Sequence, residues 1–260
     1  MTMTSAPSLT SEFVDIWTID RHDVDGDIAV LRGVLDADER SRASRFLLDA
    51  ECARFVVAHA IARWILAGYL AVRPADVQFH RHCPVCGQPH GKPAVVDASA
   101  VPITFSLSHS GDRVAVAAAA GVDVGIDVEE PDAGRDLCAL LPLLAAGERC
   151  RIMSLPPSER PEATRTTWVR KEAYAKARGL GLALPLPSYE VTVPPLDAAL
   201  LADASLDAGR AVSSWRIVDL TWANGVTGAV AYHGAPRRVR FRSVPGDLTA
   251  TDLAAGTRQR

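Results

Sequence analysis

The sequence predicts an α+β fold of two halves, because helical patterns followed by strand patterns occur twice along its 260 residues, with the division near Gly121. A hydrophobic content of 48% with 23% charged residues is ordinary for a globular protein that buries a core. The formal net charge of −3 leaves no overall field to attract nucleic acid or an anionic membrane. Any basic site must therefore be local.

The first half begins with two predicted helices. Asp36 and Glu39 form a capping-box start to a charged helix, and residues 50–70 repeat apolar side chains at helical spacing. A short strand, DVQFH, and a loop rich in proline and glycine follow. Three further strands then predict a small antiparallel unit: PITFSLSHS, RVAVAAAA and VDVGIDVEE.

The second half repeats this order of helices and strands. Residues 132–182 have a helical pattern that is broken at Pro142 and at 155–157, and three strands follow: YEVTV, SSWRIVDLTW and VTGAVAYHG. Asn224-Gly225 is a strong hairpin signal between the last two strands. The predicted division is an N-terminal half at 1–121, a C-terminal half with the metal site at 122–244, and a flexible tail at 245–260.

The sequence also indicates where the protein works. Its first 13 residues lack a basic segment followed by an apolar run, and the longest apolar stretch, around Val114 to Val122, is too short to cross a bilayer. The five cysteines are an odd number without a disulfide framework. We therefore expect a cytoplasmic protein with no membrane partner and no nucleic acid partner.

Two acidic side chains share one face of a predicted strand. Residues two apart in a strand lie about 6 to 7 Å apart on one face, so Asp127 and Glu129 project side by side while Ile126 and Val128 point to the core. Two like charges this close need a cation. The alternative interpretation is a solvated strand end, since the motif is short.

Glu172 offers a third carboxylate on a predicted helix. Trp168, Glu172 and Lys176 are spaced four apart and form one stripe, which borders an apolar stripe. If this helix packs on the acidic strand, the three carboxylates form an oxygen site that suits Mg²⁺, with Mn²⁺ as the alternative. The competing interpretation is an ordinary Glu172–Lys176 ion pair on a solvated helix.

Lysine is rare in this chain. Lys92, Lys171 and Lys176 are the only lysines among the 28 lysine and arginine residues. A retained lysine indicates a need for a compact ammonium group on a flexible stem. The alternative is that the three lysines survive by chance.

Four segments, in order, resemble the motifs of the Sfp-type 4′-phosphopantetheinyl transferases, in the branch whose last motif reads W..KEA. They are GKP at 91–93, FSLSHS at 105–110, GIDVEE at 125–130 and WVRKEAYAKARGLGL at 168–182. Each segment is short, but the ordered set is specific and the resemblance extends over roughly residues 35–235. All three lysines fall within the motifs, so we interpret them as functional.

The resemblance implies an activity and a fold. The enzyme would transfer the phosphopantetheine arm of coenzyme A to a serine of an apo acyl carrier or peptidyl carrier protein and release 3′,5′-ADP. Two similar α+β halves related by a pseudo-twofold would hold coenzyme A in the cleft between them, and the carrier would dock on the second half. Because one chain then completes its own cleft, we expect a monomer.

The same resemblance assigns roles to individual residues. The metal ligands would be Asp127, Glu129 and Glu172. The coenzyme A contacts would be Arg42, Arg54, Lys92, Ser108, His109, Asp127 and Lys176, with Arg42 and Arg54 near the 3′-phosphate. The catalytic residues would be Glu172, which takes the serine proton directly or through a bound water, and Lys176, which donates to the transferred phosphate.

The chain departs from the family pattern at one position. Glu39 stands where some members have a lysine, three residues before Arg42. We expect Arg40 or Arg45 to supply the missing cation.

Two further sites have open interpretations. Cys83 and Cys86, with His80, His82 and His90 near by, form either a zinc site or a metal-free loop. Alternate arginines at 238, 240 and 242 form either a docking face for an acidic carrier or a solvated edge strand. Apolar residues of the second half either supply a carrier patch or belong mostly to the core: Leu143, Leu144, Ile152 and Met153.

Two rival functions are compatible with the same residues. A metal-dependent phosphodiesterase or nuclease could use the same carboxylates to activate water, although the net acidic charge disfavours nucleic acid. A non-catalytic module that binds coenzyme A or carrier proteins is the second rival.

Overall fold

The computed structural model describes residues 9–24, 26–82, 86–88, 91–96, 101–131, 137–206, 211–222, 225–244 and 248–256. Its helices are α1 (Ile28–Val34), α2 (Ala37–Ala43), α3 (Asp49–Leu70), α4 (Ala146–Ser154), α5 (Arg160–Arg178) and α6 (Ala250–Ala255). Its strands are β1 (Phe13–Asp20), β2 (Phe79–Arg81), β3 (Pro93–Val95), β4 (Ile103–Ser110), β5 (Arg113–Ala120), β6 (Val124–Glu129), β7 (Tyr189–Val191), β8 (Leu200–Asp203), β9 (Trp215–Thr221), β10 (Thr227–His233) and β11 (Arg238–Ser243).

Two sheets that share one arrangement of three antiparallel strands form the centre of the fold. The first sheet has the order β11-β1-β5-β4, and the second has the order β6-β10-β9. In the first half β5 pairs antiparallel with both β1 and β4, and in the second half β10 pairs antiparallel with both β6 and β9. A long helix, α3 or α5, lies between the first strand of each half and its later hairpin. The predicted α+β fold of two similar halves is therefore confirmed.

The helices follow local signals in the sequence. Asp36 and Glu39 form the predicted capping box at the start of α2. Helix α3 is long and apolar enough to cross a membrane, but 67% of its apolar window is buried inside the protein, as in a core helix. Helix α5 ends at Gly179, whose φ of 69° is a left-handed conformation that glycine adopts without strain.

The two sheets pack against each other. Alternate residues of β1, β5, β6 and β10, among them Ala117, Ile126 and Val230, form one buried cluster between them. Helices α1, α3 and α6 cover the outer face of the first sheet, and α5 covers the outer face of the second. This packing places β4 of the first half beside β6 of the second.

The strand order corrects two expectations from the sequence. The first half begins with β1 rather than with a helix. Strand β6 pairs with β10 of the second sheet and not with β5, so the predicted three-stranded unit is wrong. Strand pairing depends on residues that are distant in sequence, and the local pattern does not contain that information.

The structure of the C-terminal region corrects two further expectations from the sequence. Strand β11 lies parallel to β1 in the first sheet, so a boundary at residue 244 assigns this strand to the wrong half. The predicted flexible tail is wrong for residues 248–256, because Leu248 and Leu253 are completely buried and α6 packs in the core of the first half. This helix is too short to show a clear period in the sequence.

Candidate active site

Strand β6 carries two nearly buried carboxylates at the boundary between the halves. Asp127 and Glu129 are 5% and 7% exposed. Ser108 Oγ donates to Asp127 Oδ1 at 2.8 Å, and Ser110 Oγ donates to Glu129 Oε2 at 2.7 Å. The two acids therefore lie side by side on what we call the acid strand, and hydroxyl groups from β4 hold them there.

Helix α5 crosses the acid strand very closely because residue 125 is glycine. A Cβ at Gly125 would lie only 2.1 Å from the carbonyl oxygen of Ala173. This close approach brings Lys176 to the acid strand, where its Nζ donates to Asp127 Oδ1 at 2.7 Å and to Ser108 Oγ at 3.0 Å. The lysine and the first acid of the predicted site are therefore in direct contact.

Glu172 lies one turn before Lys176 on α5 and is half-buried. Among the described residues, no three His, Cys, Asp or Glu side chains converge closely enough to hold a metal ion. Joint ligation by Asp127, Glu129 and Glu172 therefore stays a prediction.

The acid strand itself fits a divalent ion. Asp127 Oδ2 is buried and has no hydrogen-bond partner within the described parts of the chain. A buried carboxylate oxygen without a partner is costly, and a bound cation removes that cost. Carboxylate oxygens are also the ligands that Mg²⁺ prefers.

A cavity of about 880 Å³ lies between the halves and reaches the acid strand at Lys176. Residues from α2, α3, β2 and β4 of the first half line it, together with the end of α5 and residues 179–183 of the second half. Its basic lining residues are Arg42, Arg45, His59, Arg81, Lys92, His109 and Lys176, and its phenylalanines are Phe46, Phe55, Phe79 and Phe105. Apolar walls with a few charged groups are typical of a site for a small organic anion.

Two predicted nucleotide contacts have strongly perturbed ionisation. Lys92 Nζ donates to the carbonyl oxygen of Val124 at 2.6 Å, and burial lowers the pKa of Lys92 to about 8, against the opposing charge of Asp123. His109 opens into the cavity. Although His109 is exposed at the cavity, partial desolvation together with the charges of nearby basic groups lowers its pKa from the ordinary value, so the imidazole is neutral at pH 7.

The two arginines predicted for the 3′-phosphate region are placed differently. Arg42 lines the cavity, and its guanidinium carbon lies 5.5 Å from the centre of the Phe55 ring. Arg54 is not a lining residue. Desolvation is the main cause of the lowered pKa of His109, and the charge of Arg54 makes a smaller contribution to it.

Glu39, the departure from the family pattern, is a buried structural acid. Its carboxylate accepts a hydrogen bond from Arg63 Nε at 2.6 Å and contacts His59 Nδ1 at 3.1 Å. Burial opposes its ionisation, but His59 and Arg63 outweigh burial and hold the pKa of Glu39 at about 2. Of the two arginines expected to compensate, Arg45 lines the cavity, whereas Arg40 bonds to a backbone carbonyl and does not.

Lys171 lies outside the site. It is completely buried, and its Nζ donates to Glu148 Oε1 at 2.8 Å and to the carbonyl oxygen of Tyr189 at 2.6 Å. The functional interpretation of the three lysines is therefore wrong for Lys171, which joins α5 to α4 and β7. Burial of an ion pair cannot be read from composition.

The two sites with open interpretations have different outcomes. Cys83 and His90 lie outside the described residues, and the rings of His80 and His82 lie 6.3 Å apart, so the zinc prediction stays untested. The arginine-rich segment forms β11 at the edge of the first sheet, and its Arg240 Nε and Arg242 Nε donate to the buried carboxylate of Asp15 at 2.6 and 3.3 Å. Their charges are therefore engaged within the protein.

The proposed carrier patch divides between core and surface. Leu144 and Ile152 are completely buried, while Leu143 and Met153 are about half exposed. Sequence reasoning also missed Ser106 and Ser110. The signal that could have found them is the alternation of three serines in FSLSHS, which places their hydroxyls on one face of a strand.

Comparison with known proteins gives a consistent result over both halves. The family model described as 4′-phosphopantetheinyl transferase superfamily matches residues 123–231, and the model described as 4′-phosphopantetheinyl transferase, N-terminal, matches residues 22–121. The chain is 31% identical to the 4′-phosphopantetheinyl transferase HetI of Nostoc, over 90% of this chain and 94% of HetI. It is 26% identical to a phosphopantetheinyl transferase of Thraustochytrium, over 84% of this chain and 79% of that protein. It is 24% identical to Sfp of Bacillus subtilis, over 60% of this chain and 66% of Sfp.

Proposed function

The chain belongs to the 4′-phosphopantetheinyl transferase family, and from that premise we propose which residues perform the transfer and with which partners. The family's reaction moves the phosphopantetheine arm of coenzyme A to a carrier protein. We assign the chain to the Sfp-type branch with the W..KEA motif. We further propose that it acts as a cytoplasmic monomer on apo acyl carrier and peptidyl carrier proteins.

The proposed reaction is a displacement at phosphorus. The oxygen of the carrier serine forms a bond to the phosphorus that bears the arm, and the bond from that phosphorus to the 3′,5′-ADP oxygen breaks. Glu172 takes the proton of the serine hydroxyl. Lys176, whose Nζ lies at the meeting point of the cavity and the acid strand, donates to the phosphate and balances its charge.

The nucleotide occupies the cavity in this proposal. Arg42, Lys92 and the neutral ring of His109 face the cavity, and the aromatic wall accepts the apolar part of the ligand. Arg54 adds positive charge near His109. Together they orient coenzyme A so that its pyrophosphate lies at the acid strand.

The acid strand is the proposed metal site. Mg²⁺, or Mn²⁺, would be held by Asp127, Glu129 and Glu172, and when bound it would neutralise charge on the pyrophosphate. The observation that supports this most strongly is Asp127 Oδ2, a buried carboxylate oxygen without a hydrogen-bond partner in the described chain, beside a lysine that lines the cavity.

The test is an intact-mass measurement on an apo carrier protein. The protein is incubated with coenzyme A, Mg²⁺ and a panel of apo acyl and peptidyl carriers, with a parallel sample in EDTA. We expect a carrier mass increased by one phosphopantetheine group only in the presence of Mg²⁺. Cleavage of coenzyme A without carrier modification would support a phosphodiesterase, and an unchanged mixture would support a binding module.

A further inference from the structure

The acid strand is held from the other half of the molecule by a row of serine hydroxyls. Strands β4 and β6 belong to different sheets. Ser106 Oγ accepts a hydrogen bond from the backbone N–H of Ile126 at 3.1 Å, and Ser108 Oγ accepts one from Val128 N–H at 3.4 Å. Ser110 Oγ accepts the third, from Glu130 N–H at 3.2 Å. All three serines are more than nine-tenths buried.

Two of these hydroxyls have a second partner. Ser108 donates to Asp127 and Ser110 donates to Glu129. Ser106 does not donate to a carboxylate in this row, because the corresponding position of β6 is Gly125. The row therefore contains one serine that binds backbone only and two that also bind the acids.

The geometry gives each hydroxyl proton a direction. A hydroxyl group has one proton to donate and two lone pairs that accept. Once the Ser110 oxygen accepts the N–H of Glu130, its proton points to Glu129 Oε2. A donated hydrogen bond fixes the orientation of the carboxylate that accepts it.

We propose that Ser110 is a positioning residue for metal binding. It holds the Glu129 carboxylate in its ligating orientation, and it does so across the boundary between the two halves. Ser106, which also lines the cavity, makes the same backbone contact but bonds to no carboxylate of the proposed metal site. The proposal rests on the proposed metal role of Glu129.

The experiment compares Ser110→Ala with Ser106→Ala, because each variant removes one buried hydroxyl that accepts one backbone N–H. The probe is Mn²⁺, whose binding to the protein in the presence of coenzyme A is titrated by electron paramagnetic resonance. We expect Ser110→Ala to weaken Mn²⁺ binding about tenfold or more, the range seen when a partner of a metal ligand is removed. With coenzyme A at a saturating concentration, we expect Ser106→Ala, which leaves the serine contacts to Asp127 and Glu129 in place, to bind Mn²⁺ like the native protein, with a similar loss of thermal stability.

Steady-state kinetics and a conservative variant complete the test. In Ser110→Ala the Mg²⁺ concentration for half-maximal rate should rise about tenfold while the KM for coenzyme A stays near the native value. Ser110→Thr, which restores the hydroxyl, should recover native Mn²⁺ affinity. If Ser110→Ala does not fold, Ser110→Cys, a weaker donor of similar size, should show an intermediate loss.

The outcomes separate this inference from the function on which it rests. Native Mn²⁺ affinity in Ser110→Ala or Ser110→Cys, or an equal loss in Ser106→Ala, would overturn the positioning role while the native protein still modifies its carrier. Failure of the native protein to modify any carrier would instead overturn the proposed function. The Mn²⁺ titration would still report on Ser110 in that case.

Discussion

Replacing Glu148 by glutamine should leave a positive charge stranded in the core of the second half. Glu148 and Lys171 are both completely buried, and their side chains meet at 2.8 Å. Glu148 Oε1 also accepts the N–H of Val191 at 2.8 Å, and its Oε2 accepts the N–H of Ala145 at 2.7 Å. Glutamine has nearly the same shape, and its oxygen can keep the contacts to Lys171 and Val191. Its NH₂ group would face the N–H of Ala145, so the variant removes the charge and one hydrogen-bond acceptor with little change in packing.

The size of the loss follows from the lysine. Burial already lowers the pKa of Lys171, and the charge of Glu148 opposes that shift. Without the carboxylate, the lysine can escape burial of its charge by losing a proton. Removing the proton of a lysine costs about 1.36 kcal/mol for each pH unit below its pKa. For the ordinary pKa of 10.5, the cost at pH 7 is about 4.8 kcal/mol, which is the upper limit of the stability lost through this charge. Loss of one partner of a buried pair typically costs about 3–5 kcal/mol.

The pH dependence has a definite sign. The pKa of Lys171 in the folded variant lies below its unfolded value, so the loss is greatest at low pH and shrinks as the pH rises towards 10.5. At pH 9 the ceiling falls to about 2 kcal/mol. Urea unfolding of native protein and Glu148→Gln at pH 7 and pH 9 measures both values.

A double variant supplies the control. Glu148→Gln combined with Lys171→Met leaves no stranded charge, and it should recover most of the stability lost by Glu148→Gln. A loss below about 1 kcal/mol at pH 7, an equal loss at pH 9, or a double variant no more stable than Glu148→Gln would refute the reasoning.

Three further predictions concern the cavity and the helix crossing. Arg42→Gln should raise the KM for coenzyme A by about tenfold or more, which is the loss expected for a hydrogen bond to a charged group. Arg40 lies outside the cavity, so Arg40→Gln should leave this KM unchanged. Equal effects of the two variants in steady-state kinetics would contradict the assigned placement. The kcat/KM for coenzyme A should fall as the pH rises above about 8, where Lys92 loses its proton. In Lys92→Arg, kcat/KM should stay constant to higher pH. Identical pH profiles of the native protein and the variant would remove Lys92 from the site. Gly125→Ala should destabilise the protein by about 1–3 kcal/mol and reduce transfer, because the new Cβ meets the backbone of Ala173. A melting temperature and an activity equal to those of the native protein would disprove the close crossing of α5 and β6.

Local signals in the sequence were sufficient for much of the fold. The capping box at Asp36 and Glu39 and the apolar period of residues 50–70 correspond to α2 and α3. The alternation in residues 124–129 corresponds to β6, and both acids lie on the face that α5 crosses. These features depend only on residues that are close together in the sequence, so the sequence is sufficient to predict them.

The rest depends on contacts between distant segments. Strand β11 joins β1 across more than 220 residues, and no local pattern in either strand names its partner. Lys171 has the same rarity and motif membership as Lys176, yet one is fully buried against Glu148 and the other lines the cavity. The paired contacts of Ser110 likewise appear only when β4 and β6 lie side by side.

The most direct test of the central claim is the mass of an apo carrier after incubation with coenzyme A, Mg²⁺ and the variant Glu172→Gln. The matched control is Glu159→Gln, an exposed glutamate at the start of the same helix. We predict that the control adds the phosphopantetheine group at the native rate, while Glu172→Gln leaves the carrier unmodified yet still binds coenzyme A. Native turnover by Glu172→Gln would contradict the claim that a carboxylate of α5 completes the reacting centre on the acid strand.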